Sequence, residues 1–384
     1  MRIVGIETSC DETAIGIVEN GRRILSNAVA SSLKFHEPYG GVIPEIAARV
    51  HVETIWQVLA QALTEAQLSP EEIDAIAVTQ GPGLPGALLI GLAFAKGLAL
   101  SLDRPLIPVD HLAAHLYAGE MTDEHLEPPY IGLVVSGGHT VLCVVHPDCR
   151  FEVLGETKDD AVGEAFDKVA KLLGLGYPGG PVIDRISDEG QVNKTLFPRT
   201  HMKQPFDFSF SGLKTAVYQY VQKQKSAEGS RLKDERNSLP SPILTRAGAG
   251  QPPQPDSHQS RGGPASPARP SLESGRASLD SQQIADIAAS FQDAAVEILI
   301  TKTLRACQRT GMSRVVVGGG VASNRRLRVR FAEEGAAKKL HVVFPPPTLC
   351  VDNGAMVAGQ GYPLLQRGRV AALSLASDPN LCLV

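Results

Sequence analysis

The chain lacks several things, and each absence narrows what it can be. Its six cysteines contain no C-x-x-C pair, so they read as scattered reduced thiols rather than a disulfide framework. It opens on an apolar strand, Arg2-Ile-Val-Gly-Ile6, with no basic-then-apolar leader and no apolar run of about 20 residues. We therefore expect a cytoplasmic protein with no membrane partner. It has no basic excess either. A net charge of −4 provides no global positive field for nucleic acid, so any RNA contact needs a local patch or a partner's surface. The glycine loop at Gly81-Pro-Gly-Leu-Pro-Gly86 is not followed by Gly-Lys-Ser/Thr, which sets it apart from a Walker loop.

What is present starts with enough apolar residues, 43% of 384, for two or three cored domains. The organising stretch is Val109-Asp110-His111-Leu112-Ala113-Ala114-His115. Pro105–Val109 reads as a strand and Asp110 as the N-cap of a helix beginning at His111. Histidines four apart share one helical face. They are either half of a metal site or a cap plus a surface residue. If a metal binds, the third ligand comes from elsewhere, and Asp352 in Cys350-Val-Asp-Asn-Gly-Ala355 is the best candidate. The residue after the first histidine is Leu112, which cannot take a proton, so the zinc-peptidase base of H-E-x-x-H is missing.

Arg2–Val18 and Tyr130–Val145 both read as strand, polar or glycine turn, strand. The first turn carries Asp11 and Glu12, poor phosphate partners by charge but suited to a metal or a proton. The second carries Ser136, Gly137 and Gly138, which let a ligand approach the backbone. Two such hairpins in one chain suggest a duplicated two-lobe ATPase-type fold. Pro44 starts a helix on which Glu45, Arg49 and His51 line either a cleft or a solvated face. Ala161–Gly174 is a helix with Phe166, Val169, Ala170 and Leu173 as its buried stripe and Asp167 beside it. Phe206-Asp-Phe-Ser-Phe210 alternates like a half-buried strand. Arg314–Arg330 is strand, glycine loop and helix. Asn324 there can meet a ribose or base, and Arg325, Arg326, Arg328 and Arg330 form a basic run that is either functional or simply solvated. From Ser226 to about Gln282 the composition turns to Ser, Pro, Gly, Arg and Gln, and we expect disorder.

Read together, Ile6-Glu-Thr-Ser-Cys-Asp-Glu-Thr13, Gly81-Pro-Gly83, His111 with His115, Val135-Ser-Gly-Gly-His-Thr140, Gly163-Glu-Ala-Phe-Asp-Lys168, Tyr177-Pro-Gly-Gly-Pro181, Phe208-Ser-Phe-Ser-Gly-Leu-Lys214, Gly318-Gly-Gly-Val-Ala-Ser-Asn324 and Asp352-Asn-Gly-Ala355 resemble one family. It is the bacterial tRNA N6-adenosine threonylcarbamoyltransferase family, once taken for glycoproteases. The resemblance covers nearly the whole chain outside 226–282. Some relatives carry an acidic residue where this chain has Ala113.

The resemblance implies an α/β, two-lobe duplicated fold of the actin/Hsp70/sugar-kinase ATPase kind. The expected lobes are 1–110 with about 345–384, and 111–344 interrupted by the insert. It implies transfer of threonylcarbamoyl from threonylcarbamoyl-AMP to N6 of adenosine 37 in tRNAs reading codons that begin with A. It further implies one divalent metal per subunit, Fe2+ in preference to Zn2+, on His111, His115 and Asp352. Val134, Val135, Ser136, Gly137, Gly138, Asp167, Gly180, Asp184 and Asn324 would hold the donor, and Glu12 or Asp11 would manage the amine proton. An inactive paralogue of the same fold and a small ATPase are the implied helpers. Three other readings compete: a metallopeptidase, an ATP-dependent small-molecule kinase of the same fold, and a purely structural, filament-like protein.

Overall fold

The computed structural model describes residues 1–199, 202–238 and 279–383. They fall into two compact units, Met1–Tyr218 with Ser281–Val384, and Gln219–Asp280. The first half of the chain contributes β1 (Arg2–Glu7), β2 (Glu12–Glu19), β3 (Arg23–Ser31), α1 (Leu33–His36), α2 (Pro44–Ala66), β4 (Ala75–Gly81), α3 (Pro85–Leu102), β5 (Leu106–Asp110) and α4 (His111–Thr122). The second contributes β6 (Tyr130–Val135), β7 (Thr140–Val145), β8 (Phe151–Glu156), α5 (Val162–Leu173), α6 (Gly179–Ile186), α7 (Ser211–Ser238), α8 (Ser281–Thr310), β9 (Arg314–Gly318), α9 (Arg325–Lys338), β10 (His341–Val343), α10 (Pro347–Cys350) and α11 (Gly354–Gln366).

Two five-stranded sheets repeat one plan. The orders are β3-β2-β1-β4-β5 and β8-β7-β6-β9-β10. In each, an antiparallel meander leads from the central strand to one edge, and two parallel strands complete the other side. The central strands β1 and β6 are almost wholly buried. They read as continuous apolar runs because helices cover both faces. The duplicated α/β fold expected from the paired hairpins is therefore the observed one.

α4 is the wedge between the sheets. Its Ala114 and Ala118 join the core under α11 and β1, while Leu112, Ala113 and Leu116 join the core of the second sheet. A helix that is buried all round cannot rotate without emptying one core to overfill the other. α11 lies flat on the other half of that first core. Cβ atoms built at Gly5 would stand 2.2 Å from the Ala358 nitrogen and 2.3 Å from the Gly354 oxygen. The helix axis sits where only hydrogen fits.

Three expectations change. Phe206–Phe210 forms no ladder strand, only an isolated bridge between Thr157 and Phe208. The reason is Asp159, whose Oδ1 accepts the N–H groups of Phe210 (2.8 Å) and Ser211 (3.2 Å) and turns the chain into α7. The expected disorder from Ser226 gives way to helix as far as Ser238, over a stretch rich in Lys, Glu, Arg and Ala that favours helix. The rest of that insert, 239–278, lies outside the described residues. The arginine run is not a free patch: its members have partners within the fold, although Arg325 is exposed. Arg325 pairs with Asp184 (2.7 Å) and Asp188 (2.6 Å), and Arg326 with the buried Asp293 (2.8 Å). Arg328 donates to the Ala322 and Pro345 carbonyls and stacks on Phe344, and Arg330 faces Glu333 and Glu334. Among the described residues one helix, Pro85–Leu102, is apolar enough to cross a membrane by length and composition, with a mean hydropathy of 1.7. It packs on β4 and α2.

The tight glycine contact makes a prediction. Gly5→Ala should cost at least about 2 kcal/mol in urea unfolding, the range for overpacking a filled core. Gly97→Ala, where a Cβ meets nothing within 4 Å, should be neutral or gain up to about 1 kcal/mol from helix propensity.

Candidate active site

The β1–β2 and β6–β7 turns, equivalent in the two halves, face one cleft of about 790 Å³. Ser9, Cys10, Asp11 and Glu12 come from the first turn, and Ser136, Gly137, Gly138 and His139 from the second. His111 and Asp352 line its floor.

The histidine pair is placed by its cap. Asp110 Oδ1 accepts the N–H groups of Leu112 (2.8 Å) and Ala113 (2.9 Å), two of the donors a helix start leaves open. His111 and His115 then project from one face with ring centroids 4.7 Å apart. Asp352 sits just before α11, whose N-cap Asn353 accepts from the Met356 N–H. Its Oδ1 is 3.1 Å from His115 Nε2 and 3.7 Å from His111 Nε2. One donor atom from each of the three lies within 4.8 Å of the others.

The donor set suits a divalent metal. Two imidazoles and one carboxylate are borderline-hard ligands for Fe2+ or Zn2+. His111 Nδ1 is held 3.0 Å from Glu7 Oε2, the outer-shell carboxylate that fixes a ligating ring with Nε2 free. His115 Nδ1 is buried with no hydrogen-bond partner among the described residues, and its Nε2 faces Asp352.

Glu7 was missed from sequence. It is fully buried, accepting also from Ser9 N–H (2.5 Å) and Thr79 Oγ1 (2.6 Å). The available signal was a carboxylate at the end of an apolar strand, rare unless it has a task. His139 was quoted within a motif but given no role, and the structure puts its ring in the cleft wall. Burial, with the nearby charges of His111 and His115, pushes it down to about 4.

The other expected residues divide. Ser136, Gly137, Gly138, Asp167, Asp11 and Glu12 line the cleft; Val134, Val135, Gly180, Asp184, Asn324 and His115 stand outside its lining. Asn324 is occupied structurally, accepting from Leu327 N–H at 2.9 Å and donating to Gln292 at 2.8 Å. Asp184 holds Arg325. His51 is buried against Thr13 and the Cys10 carbonyl, so it props the first turn rather than lining the cleft. Burial, then Asp11 and Asp352, raise Glu12 to about 9.

Burial alone would lower His111, but the carboxylates of Glu7 and Asp352 outweigh it and raise it to about 9. Asp352 moves the other way: burial raises it, the His111 charge and the His115 hydrogen bond overcome that, and it falls to about 2. In metal-free protein the His111 proton is bound more tightly folded than unfolded. Its stabilisation is complete below about pH 6.5 and is lost as pH rises through about 9. Glu12 acts in the same direction. Stability of the metal-free protein should therefore fall from about pH 6.5 to 9, and Glu7→Gln should flatten that fall; urea melts across this range check it.

Comparisons with known proteins give the family and the fold. The family model for tRNA N6-adenosine threonylcarbamoyltransferase matches residues 23–359. The enzyme of that name from Clostridium kluyveri is 43% identical over 383 residues, covering 99% of this chain and 97% of its own. The one from Staphylococcus aureus is 43% identical over 380 residues, covering 99% and 96%. Among solved structures, T. kodakarensis HypF superposes with a TM-score of 0.57 at 16% identity, over 96% of this chain and 48% of its own. Full-length HypF in its phosphate- and nucleotide-bound form gives 0.55 at 14%, over 96% and 56%. These two share the fold. Identity and coverage at this level settle kinship: the chain belongs to the tRNA N6-adenosine threonylcarbamoyltransferase family and is a transferase acting on tRNA.

Proposed function

We propose that the donor is threonylcarbamoyl-AMP and the acceptor is N6 of adenosine 37 in tRNAs reading codons that begin with A, giving t6A. The observation that carries this reading is the convergence of His115 with His111 and Asp352, the latter two lining a cleft whose wall is the Ser136–Gly138 turn. The three would hold one divalent metal per subunit. Two histidines and one carboxylate are the ligand set of non-haem Fe(II) sites, which favours Fe2+ with Zn2+ as the alternative. A metal bound there supplies Lewis acidity to an oxygen of the mixed anhydride.

The chain's own groups do the rest. Ser136, Gly137 and Gly138 offer hydroxyl and backbone N–H to the donor phosphate. Val134 and Val135 fix that turn from the strand behind it. Asp167 sets the far wall, and Gly180, Asp184 and Asn324 act from outside the lining as positioning residues. The N6 amine attacks the carbamoyl carbon; the N–C bond forms, the C–O bond of the anhydride breaks, and AMP leaves with the electron pair. The amine proton passes to Asp11 or to the Asp11–Glu12 pair. The donor is already activated, so no protein nucleophile is required.

Helper subunits, an inactive paralogue of the same fold and a small ATPase, complete the proposal. A net charge of −4 supports a need for another surface to grip RNA. The cytoplasm is the matching compartment.

Two outcomes follow. With threonylcarbamoyl-AMP, unmodified tRNA and helpers, Asp352→Ala should yield less than about 1% of wild-type t6A by nucleoside analysis; undiminished product would sink the assignment. Glu7→Gln should weaken metal binding by about 10–100-fold, read by competition with a chelating dye.

A further inference from the structure

Among the residues lining the cleft, one side chain carries a phenyl-type ring: Tyr177. It heads the turn between α5 and α6, and both flanks are fixed. Gly176 before it sits at φ +87°, a region glycine enters without strain. Gly179 after it donates its N–H to Asp167 Oδ1 at 2.7 Å. That glycine packs so closely on α5 that a Cβ would lie 2.6 Å from the Phe166 oxygen and from Asp167 Cα. The ring is thus mounted on a rigid support, as a recognition surface requires. It is half-buried, and its hydroxyl has no hydrogen-bond partner among the described residues.

The surroundings say what the ring can meet. Burial and then the charges of Asp167, Asp11, Cys10 and Glu12 push its phenol well above the ordinary range, which places those acidic side chains nearby. A phosphate is repelled there. An adenine is suited to it: its face stacks on an aromatic ring, and its exocyclic amine donates to carboxylates. A base whose N6 reacts must also leave its stack to reach the cleft floor.

We propose that Tyr177 is the stacking platform for the acceptor adenine of tRNA, holding the swung-out base with N6 toward Asp11 and Glu12. The inference rests on the transfer reaction proposed above.

The test is steady-state transfer by the full chain with its helpers, metal, threonylcarbamoyl-AMP and unmodified tRNA. Tyr177→Leu keeps apolar volume without the ring face, and Tyr177→Phe keeps the face without the hydroxyl. Tyr177→Leu should raise KM for tRNA by about 10–100-fold and leave KM for the donor within about twofold. Tyr177→Phe should restore KM for tRNA to near wild type. Matched thermal melts and metal content confirm that the variants are folded. An unchanged KM for tRNA in Tyr177→Leu, or a rise confined to the donor, overturns the inference while wild-type transfer upholds the parent reaction. Absence of wild-type transfer overturns both.

Discussion

A carboxylate with no access to water lies at the end of the central strand of the first sheet. Glu7 is matched there by donors from three places: the Ser9 N–H in the first turn, the Thr79 hydroxyl on β4 and the His111 ring on α4. An unmatched charge in that position would cost several kcal/mol. The three segments are therefore held in register by the need to satisfy it. The same set of bonds orients the His111 ring and so defines the floor of the cleft. Structure and site share one constraint.

Duplication explains how so few bonds organise so much. Each sheet presents its central hairpin turn toward the cleft, and α4 fills the space between the two cores. The acidic turn belongs to one copy and the glycine turn to the other. The two copies have diverged in chemistry while keeping the same strand order. One wall carries acids suited to an amine, and the other offers amides suited to a phosphate. A symmetric pair of turns would have served neither half of an acyl transfer well.

What the chain disclosed in advance was mostly local. The Asp110 cap and the four-residue histidine spacing fall within two turns of helix, and they are as expected. So is the buried stripe Phe166, Val169, Ala170 and Leu173. Partners far apart in sequence were harder. Nothing near Glu7 points to a histidine beyond 100 residues away. The strand expected at Phe206–Phe210 failed because Asp159 captured the N–H groups a ladder would have used. The arginines of α9 were ambiguous for the same reason, since their partners Asp184 and Asp293 lie on other helices. Local periodicity reveals which face of an element is apolar, but not which distant charge will neutralise a given side chain.

Those arginines carry a last consequence. Arg325, Arg326 and Arg330 already face carboxylates within the fold, so α9 has little unpaired charge with which to release the counterions condensed on an approaching polyanion. The binding of tRNA to the chain alone should then weaken only gently as ionic strength rises, because the steepness of that dependence scales with the phosphates a protein neutralises.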